Sequence, residues 1–260
     1  MEAYQTILVT LNAGILTVTL NRPDKLNALN AQVLDELADI FVKASSDDAI
    51  KGVLITGNGK AFCAGADISQ LAELDAETGI EFSKRGQFVF RLLEQLGKPS
   101  LAAINGFAFG GGCELAMAAT LRIAAEKAVF SQPEVKLGVI PGYGGTARIS
   151  RLIGEARALD LCLTGRAIKA EEALSFGLVS EVVSSEKLLN RSEEILAGIL
   201  AMAPLAVKSV IEVIHAGYNL PLEDALHLEA THFGLLCGTQ DKNEGVTAFL
   251  AKRPACFEGK

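Results

Sequence analysis

The segment I-N-G-F-A-F-G-G-G-C-E-L-A-M, residues 104–117, joins an apolar run to a helical pattern through three consecutive glycines. Because glycine has no side chain, Gly110 to Gly112 allow a ligand to approach the backbone closely. The free N–H groups at a helix start also favour negative charge. Glu114 lies in the first turn of the predicted helix, so the segment combines anion-stabilising backbone with a side chain that can transfer a proton.

Two further glycine-containing segments flank this one along the chain. They are G-K-A-F-C-A-G-A-D-I at residues 59–68 and S-Q-P-E-V-K-L-G-V-I-P-G-Y-G-G-T at residues 131–146. The second contributes another carboxyl group, Glu134. Two carboxyl groups that share a site can supply both a base and an acid, so we interpret Glu114 and Glu134 as a candidate catalytic pair.

Composition limits the classes of function. The chain has 260 residues, enough for one large core or two modest domains, and a formal net charge of −7. That charge argues against sequence-independent binding of nucleic acid or of an anionic membrane surface. The N-terminal residues lack signal-peptide features, and no apolar run reaches membrane-spanning length. Five scattered cysteines without a C-x-x-C pair indicate reduced thiols, no metal site and a cytoplasmic protein.

Strand and helix patterns alternate along most of the chain. A strand with alternating apolar and Thr residues is predicted at 15–21, and Asn30 is a candidate N-cap for a helix that follows. Everything after Glu186 is predicted to be helical. The order predicts an α/β domain at residues 1–195 followed by an all-helical region at 196–260.

Several motifs together resemble the crotonase, or enoyl-CoA hydratase/isomerase, superfamily. They are N-R-P-x-x-x-N-A-L at 21–29, A-F-C-A-G-A-D at 61–67, N-G-x-A-x-G-G-G-x-E-L-A at 105–116, Q-P-E-x-x-x-G-x-x-P-G-x-G-G-T at 132–146, and F-L-A-K-R-P-A-C-F at 249–257. The resemblance covers essentially the whole chain. It implies a spiral of repeated ββα units, a C-terminal helical region that trimerises, and a homotrimer or a dimer of trimers. It also implies acyl-CoA thioester substrates, with coenzyme A as part of the substrate and no separate cofactor.

The resemblance also assigns roles to the candidate catalytic residues. The backbone N–H groups of Ala66 and Gly111 would polarise the thioester carbonyl, on which negative charge develops. Glu114 would hold and deprotonate water, and Glu134 would deliver the proton to the α-carbon. Their titration would be a property of the pair and not of either residue alone. Gly142 resembles the position whose backbone helps to fix the water. The neighbouring Tyr143 is bulkier than the small residue often found there.

Residues that bind coenzyme A follow from the same resemblance. Ala64 would lie near the adenine, Lys25 and Leu26 near the pantetheine or phosphate entrance, and Asp67 and Ile68 beside the Ala66 and Gly111 substrate positions. Phe249 and Lys252, near the C-terminus, resemble residues that reach the coenzyme A of a neighbouring subunit. Lysine suits a phosphate group because its ammonium is a compact point charge.

The implied activity is that of an enoyl-CoA hydratase, a lyase that adds water in a syn, reversible reaction to a trans-2-enoyl-CoA in fatty-acid or related acyl-CoA degradation. A Δ3-Δ2 enoyl-CoA isomerase, or another family reaction through a thioester enolate, is the alternative. A non-catalytic or RNA-binding relative is a third class, which the acidic charge and the complete motif set disfavour. Other enzyme classes lack their motifs, since the chain has no H-E-x-x-H, G-x-S-x-G or G-x-x-x-x-G-K-[ST] sequence.

Overall fold

A computed structural model describes residues 4–260. Its larger sheet has six strands in the order β1-β2-β3-β5-β7-β10. The first two strands pair antiparallel, and the other neighbours pair parallel. These strands are β1 (Ile7–Asn12), β2 (Ile15–Leu20), β3 (Gly52–Gly57), β5 (Ser100–Ile104), β7 (Leu121–Ala125) and β10 (Glu181–Val183).

A second sheet of four short strands is formed by β4 (Ala61–Cys63), β6 (Phe107–Phe109), β8 (Val129–Ser131) and β9 (Ala167–Lys169), in that spatial order. Consecutive strands of the chain divide between the sheets: β3, β5 and β7 enter the larger one, and β4, β6 and β8 enter the smaller one. A helical segment follows each such pair. The predicted α/β class and the repeated ββα arrangement are therefore confirmed.

Eleven α-helices are present in residues 4–260. They are α1 (Ala31–Ser46), α2 (Ile68–Leu71), α3 (Ala76–Glu94), α4 (Gly111–Ala118), α5 (Gly145–Ile153), α6 (Glu155–Thr164), α7 (Ala170–Phe176), α8 (Leu188–Leu200), α9 (Pro204–Gly217), α10 (Leu222–Cys237) and α11 (Gln240–Leu250). Asn30 caps α1 as predicted, because its side chain accepts a hydrogen bond from the Val33 N–H at 2.9 Å. Asp75 and Thr78 form a capping box at the start of α3.

The main core lies where α1 and α3 pack beside the sheets. The apolar face of α1 is buried, including Leu37 and Phe41, which have no exposed surface. On α3, Phe90 and Leu93 join the same core. Burial of these side chains holds both helices against the sheets and thereby fixes the loops that form the candidate site.

The C-terminal region differs from the sequence prediction in two details. First, α8 packs on the larger sheet through Leu188 and Leu196, and the division proposed at residues 195 and 196 falls inside this helix. Second, the prediction that all residues after Glu186 are helical is wrong for the last ten, since α11 ends at Leu250. The buried Asp241 carboxylate holds this terminal segment by accepting hydrogen bonds from the Glu258 and Gly259 N–H groups.

No single helix within residues 4–260 is long and apolar enough to cross a membrane. Helices α8 and α9 are long and apolar enough only when taken together, and this pair is bent by 105°.

Candidate active site

Two backbone N–H groups meet at the ends of the parallel strands β4 and β6. The loop after β4 brings Ala66 against the first residue of α4, Gly111: a Cβ placed on Gly111 would lie 3.3 Å from the Ala66 nitrogen. Neither N–H has a hydrogen-bond acceptor among residues 4–260. The predicted pair of donors is therefore brought together, next to the helix start that favours negative charge.

Glu114 is almost completely buried in the first turn of α4, with 1% of its surface exposed. Its Oε1 atom accepts hydrogen bonds from the N–H groups of Tyr143 and Gly145, at 2.8 and 2.6 Å. Burial and the nearby charge of Glu134 raise its pKa to about 8, and the two N–H donors oppose that rise. The segment around Gly142 thus holds one carboxylate oxygen in a fixed orientation.

Glu134 begins a short 3-10 turn, Glu134–Leu137, directly after Pro133. Its carboxylate lies over Gly110, where a Cβ would come within 2.6 Å of Oε1; Gly110 also has a φ of +49°, which disfavours a side chain. Burial raises the pKa of Glu134 to about 7. Glu134 is therefore half-buried, unlike a carboxylate on a fully solvated loop.

The two carboxyl groups are close enough for the charge of Glu134 to affect the pKa of Glu114. Both pKa values are raised, and the charge of Glu134 adds to the rise at Glu114. Ionising both would place two negative charges in a largely buried site, so the charge of one carboxylate disfavours ionisation of the other. A pair with one proton has both a base and an acid available for the same ligand.

The loop that follows β2 lies beside the Ala66 loop and contains the predicted coenzyme A residues. The Ala64 N–H donates to the Leu26 carbonyl at 3.0 Å, and the Leu29 N–H donates to the Gly65 carbonyl at 2.8 Å. Lys25, Leu26 and Ile68 are exposed at this edge. Asp67 has structural contacts as well, because it caps α2 and forms an ion pair with Arg22 at 3.3 Å.

Tyr143 does not project into open space, although it is bulkier than the residue expected beside Gly142. Its ring is 1% exposed and lies against α3, where a Cβ on Gly86 would come within 2.1 Å of it. Phe82 and Phe90 flank the ring at centroid distances of 5.3 and 5.6 Å. The lack of a side chain at Gly86 therefore accommodates the bulk of Tyr143.

The comparisons with known proteins agree with this geometry. The family model described as enoyl-CoA hydratase/isomerase matches residues 10–260. The chain belongs to this family. A crotonyl-CoA hydratase from Syntrophomonas wolfei is 45% identical over 99% of this chain and 100% of the relative. A short-chain-enoyl-CoA hydratase from Clostridium acetobutylicum is 44% identical over 97% of both chains.

A solved member supports the same placement at the level of structure. The crystal structure of enoyl-CoA hydratase from Bacillus anthracis matches with a TM-score of 0.94 and 38% identity, covering 98% of this chain and 100% of the other. The predicted crotonase fold is therefore confirmed. The hydratase activity inferred from the sequence is likewise supported, because this chain matches two relatives that are named hydratases over nearly the full length of each.

Two residues that were predicted to contact coenzyme A lie in the C-terminal segment, away from the loops that contain Ala64 and Ala66. Phe249 is the penultimate residue of α11 and is 82% exposed, and Lys252 follows the end of that helix. The hydrogen bond between the Lys252 N–H and the Phe249 carbonyl stays within the C-terminal segment. A role of these residues at the coenzyme A of a neighbouring subunit remains a prediction.

Sequence reasoning missed several residues that organise the site. The Asn27 amide donates to the carbonyls of Asn58 and Ala61 and thereby fixes the loop that contains Leu26. In the amide orientation that satisfies both groups, the fully buried Gln132 donates to both Glu134 carboxylate oxygens, at 3.2 and 3.1 Å. Asn27 and Gln132 both lie within the family motifs, and that position is the feature of the sequence that could have identified them.

Proposed function

We propose that this chain catalyses the reversible hydration of short trans-2-enoyl-CoA thioesters to 3-hydroxyacyl-CoA. The observation that carries the proposal is the presence of two carboxyl groups, Glu114 and Glu134, beside the free N–H groups of Ala66 and Gly111. The short acyl length is supported by the names of two relatives, the crotonyl-CoA hydratase at 45% identity and the short-chain-enoyl-CoA hydratase at 44%.

The chemistry follows from these positions. The Ala66 and Gly111 N–H groups donate to the thioester carbonyl oxygen and stabilise the enolate charge. Glu114, its Oε1 held by two N–H groups, takes a proton as water oxygen bonds to the β-carbon. The carbon–carbon π electrons move into the enolate, and its α-carbon then takes a proton from Glu134.

Binding of the coenzyme A portion is assigned to the edge around Lys25 and Leu26. The loop from Lys25 to Leu29 is joined by backbone hydrogen bonds to the loop that contains Ala64 and Ala66. A thioester whose carbonyl lies at Ala66 can therefore extend its pantetheine along Ala64 and Leu26. Both proton transfers use side chains of this chain, so we propose that no separate cofactor takes part.

The direct test is a spectrophotometric assay with crotonyl-CoA. We expect the absorbance of the conjugated thioester to fall, because hydration removes the double bond next to the carbonyl. A parallel assay with a 3-enoyl-CoA tests for the isomerase, which would instead generate that absorbance. Absence of crotonyl-CoA hydration together with rapid conversion of the 3-enoyl-CoA would overturn the hydratase proposal in favour of the isomerase.

We also propose that three copies assemble through the C-terminal helices, with pairing of two trimers as the larger form. The support is a set of large apolar side chains that this single chain leaves exposed, including Leu222 and Phe233 of α10 and Leu250 of α11, each above 70%. Burial of this surface would also place Lys252 near a neighbouring chain. Light scattering is expected to give the mass of three or six chains, and a monomer at micromolar concentration would contradict the proposal.

A further inference from the structure

Helix α3 contacts the candidate site through a hydrogen-bond chain that ends at Glu114. The Ser83 hydroxyl donates to the Gly142 carbonyl oxygen, and the Gln87 amide donates to the same oxygen at 2.9 Å. The Gln87 amide also donates to the Ser83 hydroxyl at 3.0 Å. These two side chains therefore hold one carbonyl from a helix more than 50 residues earlier in the chain.

The carbonyl that they hold belongs to the peptide unit that joins Gly142 to Tyr143. The N–H of that same unit donates to Glu114 Oε1 at 2.8 Å. Because a peptide unit is planar, the direction of its carbonyl fixes the direction of its N–H. Hydrogen bonds to the carbonyl also polarise the unit and strengthen the N–H as a donor.

We propose that Ser83 and Gln87 are positioning residues for the hydration reaction, and that they act by aiming the Tyr143 N–H at the Glu114 carboxylate. Neither side chain bonds to Glu114 itself, so their effect passes through the peptide unit. The proposal rests on the proposed function, because it assigns Glu114 the role of the base.

Attachment of the loop to α3 does not depend on these polar side chains alone. The Tyr143 ring packs on Gly86 and contacts the rings of Phe82 and Phe90. The Arg148 guanidinium donates to the Tyr143 carbonyl at 2.6 Å and pairs with Glu94. Loss of the Ser83 and Gln87 contacts should therefore leave the loop attached while freeing the Gly142–Tyr143 peptide unit to rotate.

The acid limb of the pH profile provides a readout that a purely structural role would not move. The charged side chains that act on Glu114 are the Glu134 carboxylate and the Arg148 guanidinium. The Cys113 and Cys162 thiols and the Tyr143 hydroxyl lie close enough for the Glu114 charge to affect them, and Arg85 and Cys63 also act on the Tyr143 hydroxyl. A weaker N–H donor stabilises the carboxylate less, which raises the pKa of Glu114. The base form is then reached only at higher pH, so the acid limb moves upward.

The test compares Ser83→Ala, Gln87→Leu and the double variant with the wild-type chain on crotonyl-CoA. For the double variant we expect kcat to fall about tenfold, because a misaligned base transfers the proton less efficiently. We expect KM to stay within about twofold, and the acid limb to rise by about half a pH unit. Ser83→Thr, which keeps the hydroxyl, should restore most of the activity lost in Ser83→Ala.

Ser150→Ala is the matched control, because the hydroxyl that it removes donates to the Thr146 and Ala147 carbonyls of α5 and to neither Gly142 nor Glu114. Gln87 is exposed, so Gln87→Leu keeps the test available if the Ser83→Ala chain fails to fold. A folded double variant with wild-type kcat and an unmoved acid limb overturns the positioning role alone. A wild-type chain without hydratase activity overturns the function and this role together.

Discussion

Glu114→Gln is expected to lower kcat for crotonyl-CoA hydration by about two to four orders of magnitude while the chain stays folded. Glutamine has the shape of glutamate, and its amide oxygen can still accept the Tyr143 and Gly145 N–H groups. It cannot take a proton from water at neutral pH. The loss therefore isolates proton transfer from the packing of the site.

Stability of the same variant separates catalysis from folding. Burial raises the pKa of Glu114 above its unfolded value, so the native chain binds an extra proton and its stability falls as pH rises between the two values. A neutral glutamine does not have this dependence. Glu114→Gln should therefore melt at the wild-type temperature or higher at pH 8, although it is nearly inactive.

Glu134→Gln should produce a loss of similar size, because the enolate then lacks its proton donor. Exchange of the product α-proton with D2O should be lost as well. Glu193→Gln on the exposed surface of α8 is the control and should leave kcat unchanged. Near-normal turnover in either Glu114→Gln or Glu134→Gln would contradict the assignment of that residue.

The parts of the fold that the sequence predicts are those with a pattern longer than about five residues. The buried face of α1 repeats at helical spacing, and the central strands β3 and β5 are continuous apolar runs. Edge strand β1 was not predicted. Most of its residues are exposed or half-buried, so its sequence does not need the regular alternation of apolar and polar residues that indicates a strand. Strands of three residues, such as β4 and β6, are too short for any periodicity.

The candidate site divides in the same way between local and distant features. The Gly110–Gly112 helix start and Glu114 are neighbours in sequence, so their shared role can be read from one segment. In contrast, the packing of the Tyr143 ring on Gly86 and the hydrogen bond from Ser83 to the Gly142 carbonyl join segments more than 50 residues apart. The sequence of neither segment indicates which residues it contacts in the other, because these contacts form only when α3 packs beside the loop that contains Gly142.

Gly112→Ala tests the spacing between the two N–H donors without altering either carboxyl group. A Cβ on Gly112 would lie 2.0 Å from the Cys63 carbonyl oxygen, a backbone atom that cannot rotate away. Cys63 ends β4, directly before the loop that contains Ala66, and Gly112 follows Gly111 in α4. One added methyl group must therefore push the two donor-bearing segments apart.

The expected result is a fall in kcat of about 100-fold or more, the cost of losing one donor to the thioester oxygen. Overpacking should also lower the free energy of unfolding by about 1–3 kcal/mol. Gly79→Ala is the matched control, because a Cβ at this position of α3 meets nothing within 4 Å. It should raise stability by about 0.5–1 kcal/mol and leave kcat unchanged. Wild-type turnover by Gly112→Ala would mean that the Ala66 and Gly111 N–H groups do not act as a pair with fixed spacing.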